Sequence, residues 1–239
     1  MHNDYAIITG STSGIGKAIT TSLLSQNYKI LGIARNHEKF NPEDSANYEK
    51  LTCDLSNTKE VQKLCKTLSK TKPTPDLLIL SAGSGYFAAL EEMSSEKIIN
   101  NLNLNLLTNI FLVKAVLPGM KKRRSGKIIF IGSEAALKGK KQGSVYCAGK
   151  AALRAFSESL REETANSGIA VSIINPGMVD TPFFDQLKFK PKDGDGESLN
   201  TEHVVEAIDA ILKLPRGAVI DEINLSPQRK SFMLKSEKN

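Results

Sequence analysis

Short apolar runs alternate with stretches of helical spacing from one end of the chain to the other. Tyr5-Ala6-Ile7-Ile8-Thr9 is a β-like run that breaks at Gly10. Over residues 15–26, Ile15, Ile19, Leu23 and Leu24 recur on one face of a helix. Strand-like runs follow at 29–34, 48–53, 76–80, 127–131, 169–174 and 218–225, broken by helical patterns at 58–69, 95–120, 144–166 and 201–213. The long helix at 95–120 is expected to end near Pro118-Gly119, and the one at 144–166 at Gly168.

Strands alternating with helices predict an α/β chain, a doubly wound parallel sheet of about seven strands with helices on both faces. No internal repeat or linker divides the 239 residues, which suit one domain, 1–239. The polar segment 183–200, with Gly194 and Gly196, is expected to be a mobile substrate loop, and 230–239 a disordered tail.

Composition narrows the class. Hydrophobic residues make up 40% and charged residues 24%, as in ordinary globular proteins. Cys53, Cys65 and Cys147 form no C-x-x-C pair, which excludes a zinc knuckle or a disulfide framework and implies no metal site. No signal peptide precedes the first strand, and the uninterrupted apolar runs fall short of the ~18 residues of a membrane span, so the expectation is a cytoplasmic protein that binds no membrane. The net charge is +6, but basic runs such as Lys121-Lys122-Arg123-Arg124 lack interleaved aromatic residues, which argues against a nucleic-acid partner.

The chemistry begins where the first strand turns into the first helix, at Thr9-Gly10-Ser11-Thr12-Ser13-Gly14-Ile15-Gly16. Glycines there let the backbone approach a pyrophosphate, and the helix N-terminus offers free N–H groups. At the end of the second strand, an acid would bind the ribose 2′-OH of NAD; the chain has Ala34-Arg35-Asn36 instead. Arg35 is suited to a 2′-phosphate, with Ser11 as a further donor, so the cofactor expected is NADP(H). Tyr146 and Lys150 lie four apart on one helix face, where an ammonium favours the phenolate and eases proton exchange. Ser133 follows the fifth strand, at the carboxyl edge where ligands gather in parallel sheets.

Taken together, these motifs resemble the short-chain dehydrogenase/reductase family from Tyr5 to about Gln228. The family's glycine motif matches Thr9 to Gly16, its adenine-contacting Asp matches Asp54 before Leu55, and its Asn-Ala-Gly matches Ser81-Ala82-Gly83, with serine in place of asparagine. Its helix asparagine matches Asn105, its serine Ser133, and its Tyr-x-x-x-Lys the segment Tyr146 to Lys150, with Gly149 where serine is usual. Its Pro-Gly and following threonine match Pro176-Gly177 and Thr181. The resemblance implies a Rossmann-like fold and an NADPH-dependent carbonyl reductase, reversible as an alcohol dehydrogenase. Tyr146 would be the general acid, Ser133 would position the carbonyl, and Lys150 would hold the ribose and lower the tyrosine pKa. Asn105 would support a water chain, and Val179 and Thr181 would contact the carboxamide. The two long helices imply a homodimer or homotetramer.

Other residues shape the alternatives. Cys147 points about 100° away from Tyr146 and is read as packing. His37 and His203 are read as surface residues. Phe183, Phe184, Leu187 and Phe189 form either a lid over an apolar substrate or a loop packed on the sheet edge. Lys138, Lys140 and Lys141 border the substrate mouth and admit an anionic substrate, though plain surface lysines are the simpler reading. A 3-oxoacyl-thioester reductase is an alternative, weakened by Ser167 where such enzymes carry a basic residue. An NAD-using alcohol dehydrogenase and a non-catalytic NADP-binding sensor are the others.

Overall fold

The computed structural model describes residues 4–38, 40, 42, 45–70, 73–192, 194, 196–229 and 231–235. Its strands are β1 (Tyr5–Thr9), β2 (Lys29–Ala34), β3 (Tyr48–Thr52), β4 (Leu77–Leu80), β5 (Gly126–Ile131), β6 (Ile169–Pro176), β7 (Phe189–Pro191), β8 (Glu222–Leu225) and β9 (Phe232–Leu234). Its helices are α1 (Gly14–Ser25), α2 (Thr58–Leu68), α3 (Ser95–Leu102), α4 (Thr108–Arg123), α5 (Ser144–Thr164) and α6 (Thr201–Lys213). A seven-stranded sheet runs β3-β2-β1-β4-β5-β6-β8. All of its strand pairs are parallel, which makes this the Rossmann-like doubly wound fold.

Both faces of a parallel sheet must be covered, so its strands read as continuous apolar runs. Ile7, Leu78, Ile128 and Phe130 face one core, under α2, α4 and α5. Their neighbours Ile8, Ile79 and Ile129 face the other, under α1 and α6. Strand order reverses between β1 and β4, which opens a crevice at the carboxyl edge where β1 hands over to α1.

Four local features depart from the pattern reading. The long helix does not stop at Pro118 but continues to Arg123. The proline removes the amide that would bond the Lys114 carbonyl, and both residues are exposed on the outer face of α4, so no buried carbonyl is stranded. The same run, Ser95–Arg123, is long and apolar enough to cross a bilayer, yet it delivers Leu112, Val113, Val116 and Met120 to the core. The last strand of the main sheet is confined to Glu222–Leu225, the residues that find register with Ile173–Pro176 of β6.

The fourth departure is at the carboxyl edge. The segment expected as a disordered tail contains β9, which pairs antiparallel with β7 from the expected mobile loop. Lys235 donates from its backbone N to Lys188 O at 2.9 Å and from Nζ to Phe184 O at 2.6 Å, closing the ends of this two-stranded unit. A short turn at Pro182–Phe184 and a bridge between Val179 and Leu199 further order the segment 183–200. Polar composition hid this pairing, because the stabilising bonds are backbone bonds to a segment about forty residues away. Lys230 and residues 236–239 lie outside the described residues.

Candidate active site

The turn after β1 is shaped for a pyrophosphate. Gly10 has φ +69°, a conformation that L side chains rarely adopt. A Cβ on Gly16 would lie 2.2 Å from the Gly10 carbonyl oxygen, so only glycine lets α1 start this close to the strand end. Ser13 gives α1 no side-chain cap, and no acid occupies its first turn, whereas Asn57, Ser94 and Asn200 cap α2, α3 and α6. The N–H groups and positive dipole end of α1 are left for an anion. Thr181 closes the turn from the far side, its Cβ 3.3 Å from the position a Cβ on Gly14 would take. Thr9 Oγ1 accepts from both Ser81 N and Ala82 N at 3.0 Å, binding the ends of β1 and β4 together. This cradle fits a dinucleotide.

The adenosine side differs from expectation. Ser11 is fully buried, and its hydroxyl shares a 2.8 Å hydrogen bond with Tyr48, so it is not a free donor for a 2′-phosphate. Tyr48 in turn bonds His37 Nδ1 at 3.2 Å, and His37 donates from Nε2 to Leu51 O at 3.2 Å. His37 is therefore half-buried and locked between β2 and β3, not a surface residue. His203 is exposed and completes a capping box with Asn200. Arg35 is exposed at the end of β2, and Asn36 turns its amide onto Glu38. Asp54 Oδ1 is engaged by Ser56 N and Oγ, and Leu55 O accepts from Thr108, which ties this loop to α4.

Ser133, Tyr146, Lys150 and Asn105 converge beyond β4 and β5. The Ser133 side chain lies near enough to the Tyr146 phenol to favour its ionised form. Ser133 Oγ also accepts from Ala135 N at 3.1 Å, which starts a short turn and fixes the rotamer. Burial pushes the Tyr146 phenol up to about 12; the neighbouring Ser133 side chain works against this, and the nearby Cys147 and Glu134 add to it. Lys150 lies one helical turn further along α5. The lysine is itself buried, brought down to about 8 by desolvation, and donates to Ile131 O at 2.9 Å.

Asn105 sits in a π turn, Asn103–Leu107, between α3 and α4. Its amide nitrogen donates to Asn101 O and Ser84 O, both at 3.0 Å, while Oδ1 is buried without a partner. A Cβ on Gly83 would meet that Oδ1 at 2.9 Å and Lys150 Nζ at 3.6 Å, so the orphan acceptor and the buried ammonium face the same small space. The chemistry of that space suits a water or a ribose hydroxyl.

A network that sequence reasoning missed stands behind Ser133. Asn175, fully buried at the end of β6, accepts from Ser133 N at 3.3 Å. It donates to Glu222 Oε1 and Asn224 Oδ1 on β8, both at 3.0 Å. Arg154 of α5 grips Glu222 Oε2 at 2.7 Å and holds its carboxyl below the usual carboxylate range. The arginine is one turn beyond Lys150, so one chain of bonds links α5, β8, β6 and the loop carrying Ser133. The visible signal was Asn175 itself, a polar residue closing an apolar run. Pro176 ends β6, and Gly177 donates to Leu225 O at 2.8 Å, while Val179 is buried beside Thr181, which donates to its carbonyl at 3.2 Å.

The family model described as short chain dehydrogenase matches residues 4–191. The chain belongs to the short-chain dehydrogenases. An uncharacterized oxidoreductase of Staphylococcus aureus strain MW2 is 30% identical over 226 residues, covering 93% of this chain and 96% of that relative. The solved structure of an alcohol dehydrogenase from the archaeon Thermococcus sibiricus, complexed with 5-hydroxy-NADP, is similar at TM-score 0.80 and 26% identity, covering 95% of this chain and 98% of that one. Serine dehydrogenase from Escherichia coli is similar at TM-score 0.79 and 27% identity, covering 92% and 96%. The protein is an oxidoreductase of this type, with the fold of nicotinamide-binding relatives.

Two predictions follow from the buried groups. Folded Lys150 releases its proton near 8, whereas the unfolded chain holds it to 10.5. The unfolded state thus carries the extra proton in this window, and stability rises with pH across it. Urea unfolding at pH 8 and pH 10 will show the protein gaining on the order of 2 kcal/mol relative to Lys150→Met; parallel pH profiles would refute the burial. Asn175→Ala, which strands Ser133 N–H, will cost about 1–3 kcal/mol in the same assay. Glu222→Gln, which keeps an acceptor for Asn175, will cost clearly less, and equal losses would mean the network does not hold Ser133.

Proposed function

We propose that the protein is an NADPH-dependent reductase of ketone or aldehyde carbonyls, reversible as an alcohol dehydrogenase, with Tyr146 as general acid and base. The observation that carries this reading is the convergence of the half-buried Ser133 hydroxyl and the buried Tyr146 phenol beside the buried Lys150. A phenol held near 12 keeps its proton at physiological pH, which is the state a general acid needs.

The nicotinamide, when bound, supplies the hydride that goes to the carbonyl carbon. Tyr146 gives its proton to the carbonyl oxygen as the C=O π bond opens, so that an alcohol leaves. Ser133 Oγ, already fixed by Ala135 N, holds that oxygen in line with the phenol. Lys150 keeps one donor on Ile131 O and turns the others to the ribose hydroxyls. Asn105 Oδ1 accepts from the water that returns a proton to the tyrosine by way of the lysine. Gly10, Ser11, Thr12, Ser13, Gly14, Ile15 and Gly16 cradle the pyrophosphate through backbone groups. Asp54, Leu55, Ser81, Ala82 and Gly83 would flank the adenosine, and Pro176, Gly177, Val179 and Thr181 would face the carboxamide.

Arg35 stands where an acid would select the 2′-OH of NAD, which supports NADPH, as does the 5-hydroxy-NADP bound by the Thermococcus sibiricus alcohol dehydrogenase. With its three cysteines free, we assign the protein to the cytosol. We further propose a homodimer or homotetramer. The outer face of α4 and α5 carries an open groove of about 370 Å³ with an apolar lining that includes Val113, Leu117, Phe156 and Leu160. A second copy would cover it.

Turnover of carbonyl substrates with NADPH will exceed that with NADH, vanish in Tyr146→Phe, and shift toward NADH by about tenfold or more in Arg35→Asp. NADPH binding with full biological effect in Tyr146→Phe would favour a sensor instead. Light scattering will give at least twice the 26.0 kDa chain mass, reduced by Phe156→Glu; a monomer would remove the oligomer proposal.

A further inference from the structure

The ring of Tyr146 is walled by phenylalanines from separate segments. Phe87, in the loop after β4, lies 5.4 Å from it between ring centres, and Phe183, in the turn after β6, lies at 6.1 Å. Phe189 of β7 continues the wall, 5.1 Å from Phe87 and edge-on to it. Phe232 of β9 backs Phe189 at 5.9 Å. Phe87, Phe183 and Phe189 are only half-buried, so each keeps apolar area that a ligand can cover. Phe183 rests directly on the backbone of Gly85, where a Cβ would lie 2.6 Å from its ring.

Charge at this mouth is arranged against anions. Glu134, next in sequence to Ser133, puts an acid near the Tyr146 phenol. Lys140, one of the three lysines that bordered the mouth in the sequence, is spent on Glu134 at 3.2 Å. Lys138 and Lys141 are exposed. A carboxylate brought to Ser133 would lose its hydration beside an acid, with the Lys150 ammonium already committed to Ile131 O and, in the proposed complex, to the ribose. An aromatic ring brought there would instead bury area against three phenylalanines, with edge-to-face contacts available.

We propose that the substrate side of this site takes an uncharged carbonyl compound bearing an aromatic or comparably bulky apolar arm, and rejects carboxylates and phosphate esters. The inference rests on Tyr146 and Ser133 as the reacting pair. Phe87 and Phe183 grip the arm, and the β7–β9 unit closes over it.

Four 2-oxo compounds separate arm from charge: methyl phenylglyoxylate, phenylglyoxylate, methyl pyruvate and pyruvate, each assayed for kcat/KM with NADPH. The phenyl ester will exceed the methyl ester, and each ester its acid, by about tenfold or more. Phe183→Ala, which removes the ring, and Gly85→Ala, which displaces it, will each compress the phenyl-to-methyl ratio by about fivefold, with thermal melting confirming the fold. Either acid outrunning its ester, or two esters of equal efficiency, overturns the inference. Turnover that is lost in Tyr146→Phe but indifferent to the arm overturns this substrate class and leaves the reductase reading intact. No turnover of any of the four also overturns it, and, joined to the lack of a thermal shift with NADPH, overturns both.

Discussion

An ammonium inside a protein stays charged only if the surroundings hydrogen-bond it. Lys150 meets this demand through the Ile131 carbonyl, the last residue of a central strand. That bond fixes the inner face of α5 against the carboxyl end of β5. Everything else at the site follows from this registration. Tyr146 is one turn earlier on the same helix, and Ser133 is two residues beyond the same strand, so the two hydroxyls meet. The cost of burying the amine appears as its lowered proton affinity, and the matching burial of the phenol raises its own. The two groups are pushed in opposite directions by the same exclusion of water.

The sheet supplies the second constraint. Parallel strands bring every carboxyl end to one edge, so residues from Thr9 to Leu225 gather there although most of the chain separates them. The β1–β4 reversal opens the cradle, and Thr9 pins its two sides. At the other end, Asn175 and Glu222 turn the edge strand β8 into a support for the Ser133 loop. The edge strand thus does more than complete the sheet, which explains an acid–arginine pair at a position that would otherwise be plain surface.

Much of this was legible in the residues. Apolar runs marked the inner strands of the main sheet, weaker β-like runs its edges β3 and β8, and the spacing of Gly10, Gly14 and Gly16 marked the cradle. Tyr146, Lys150 and Ser133 could be placed because each follows from local geometry, a helix turn or a strand end. Ser11 could not. The direction of a short hydroxyl depends on Tyr48, thirty-seven residues away, and no local pattern encodes that partner. The Asn175–Glu222–Arg154 chain was hidden for the same reason. The helix through Pro118 misled because the proline faces water, and orientation decides whether a lost amide bond matters. The β7–β9 pair was invisible because two three-residue strands are too short to show a period and are defined by each other.

That last pair has a consequence for how the molecule is built. On the ribosome, all seven strands of the main sheet emerge before β9 does. The nucleotide half can therefore reach its native packing while the wall over Phe189 is still missing. Only when Phe232 and Lys235 leave the exit tunnel can the far side of the crevice close. In synthesis order, the β1–α1 turn comes first and the β7–β9 wall last, so the crevice stays open on that side until β9 has been made.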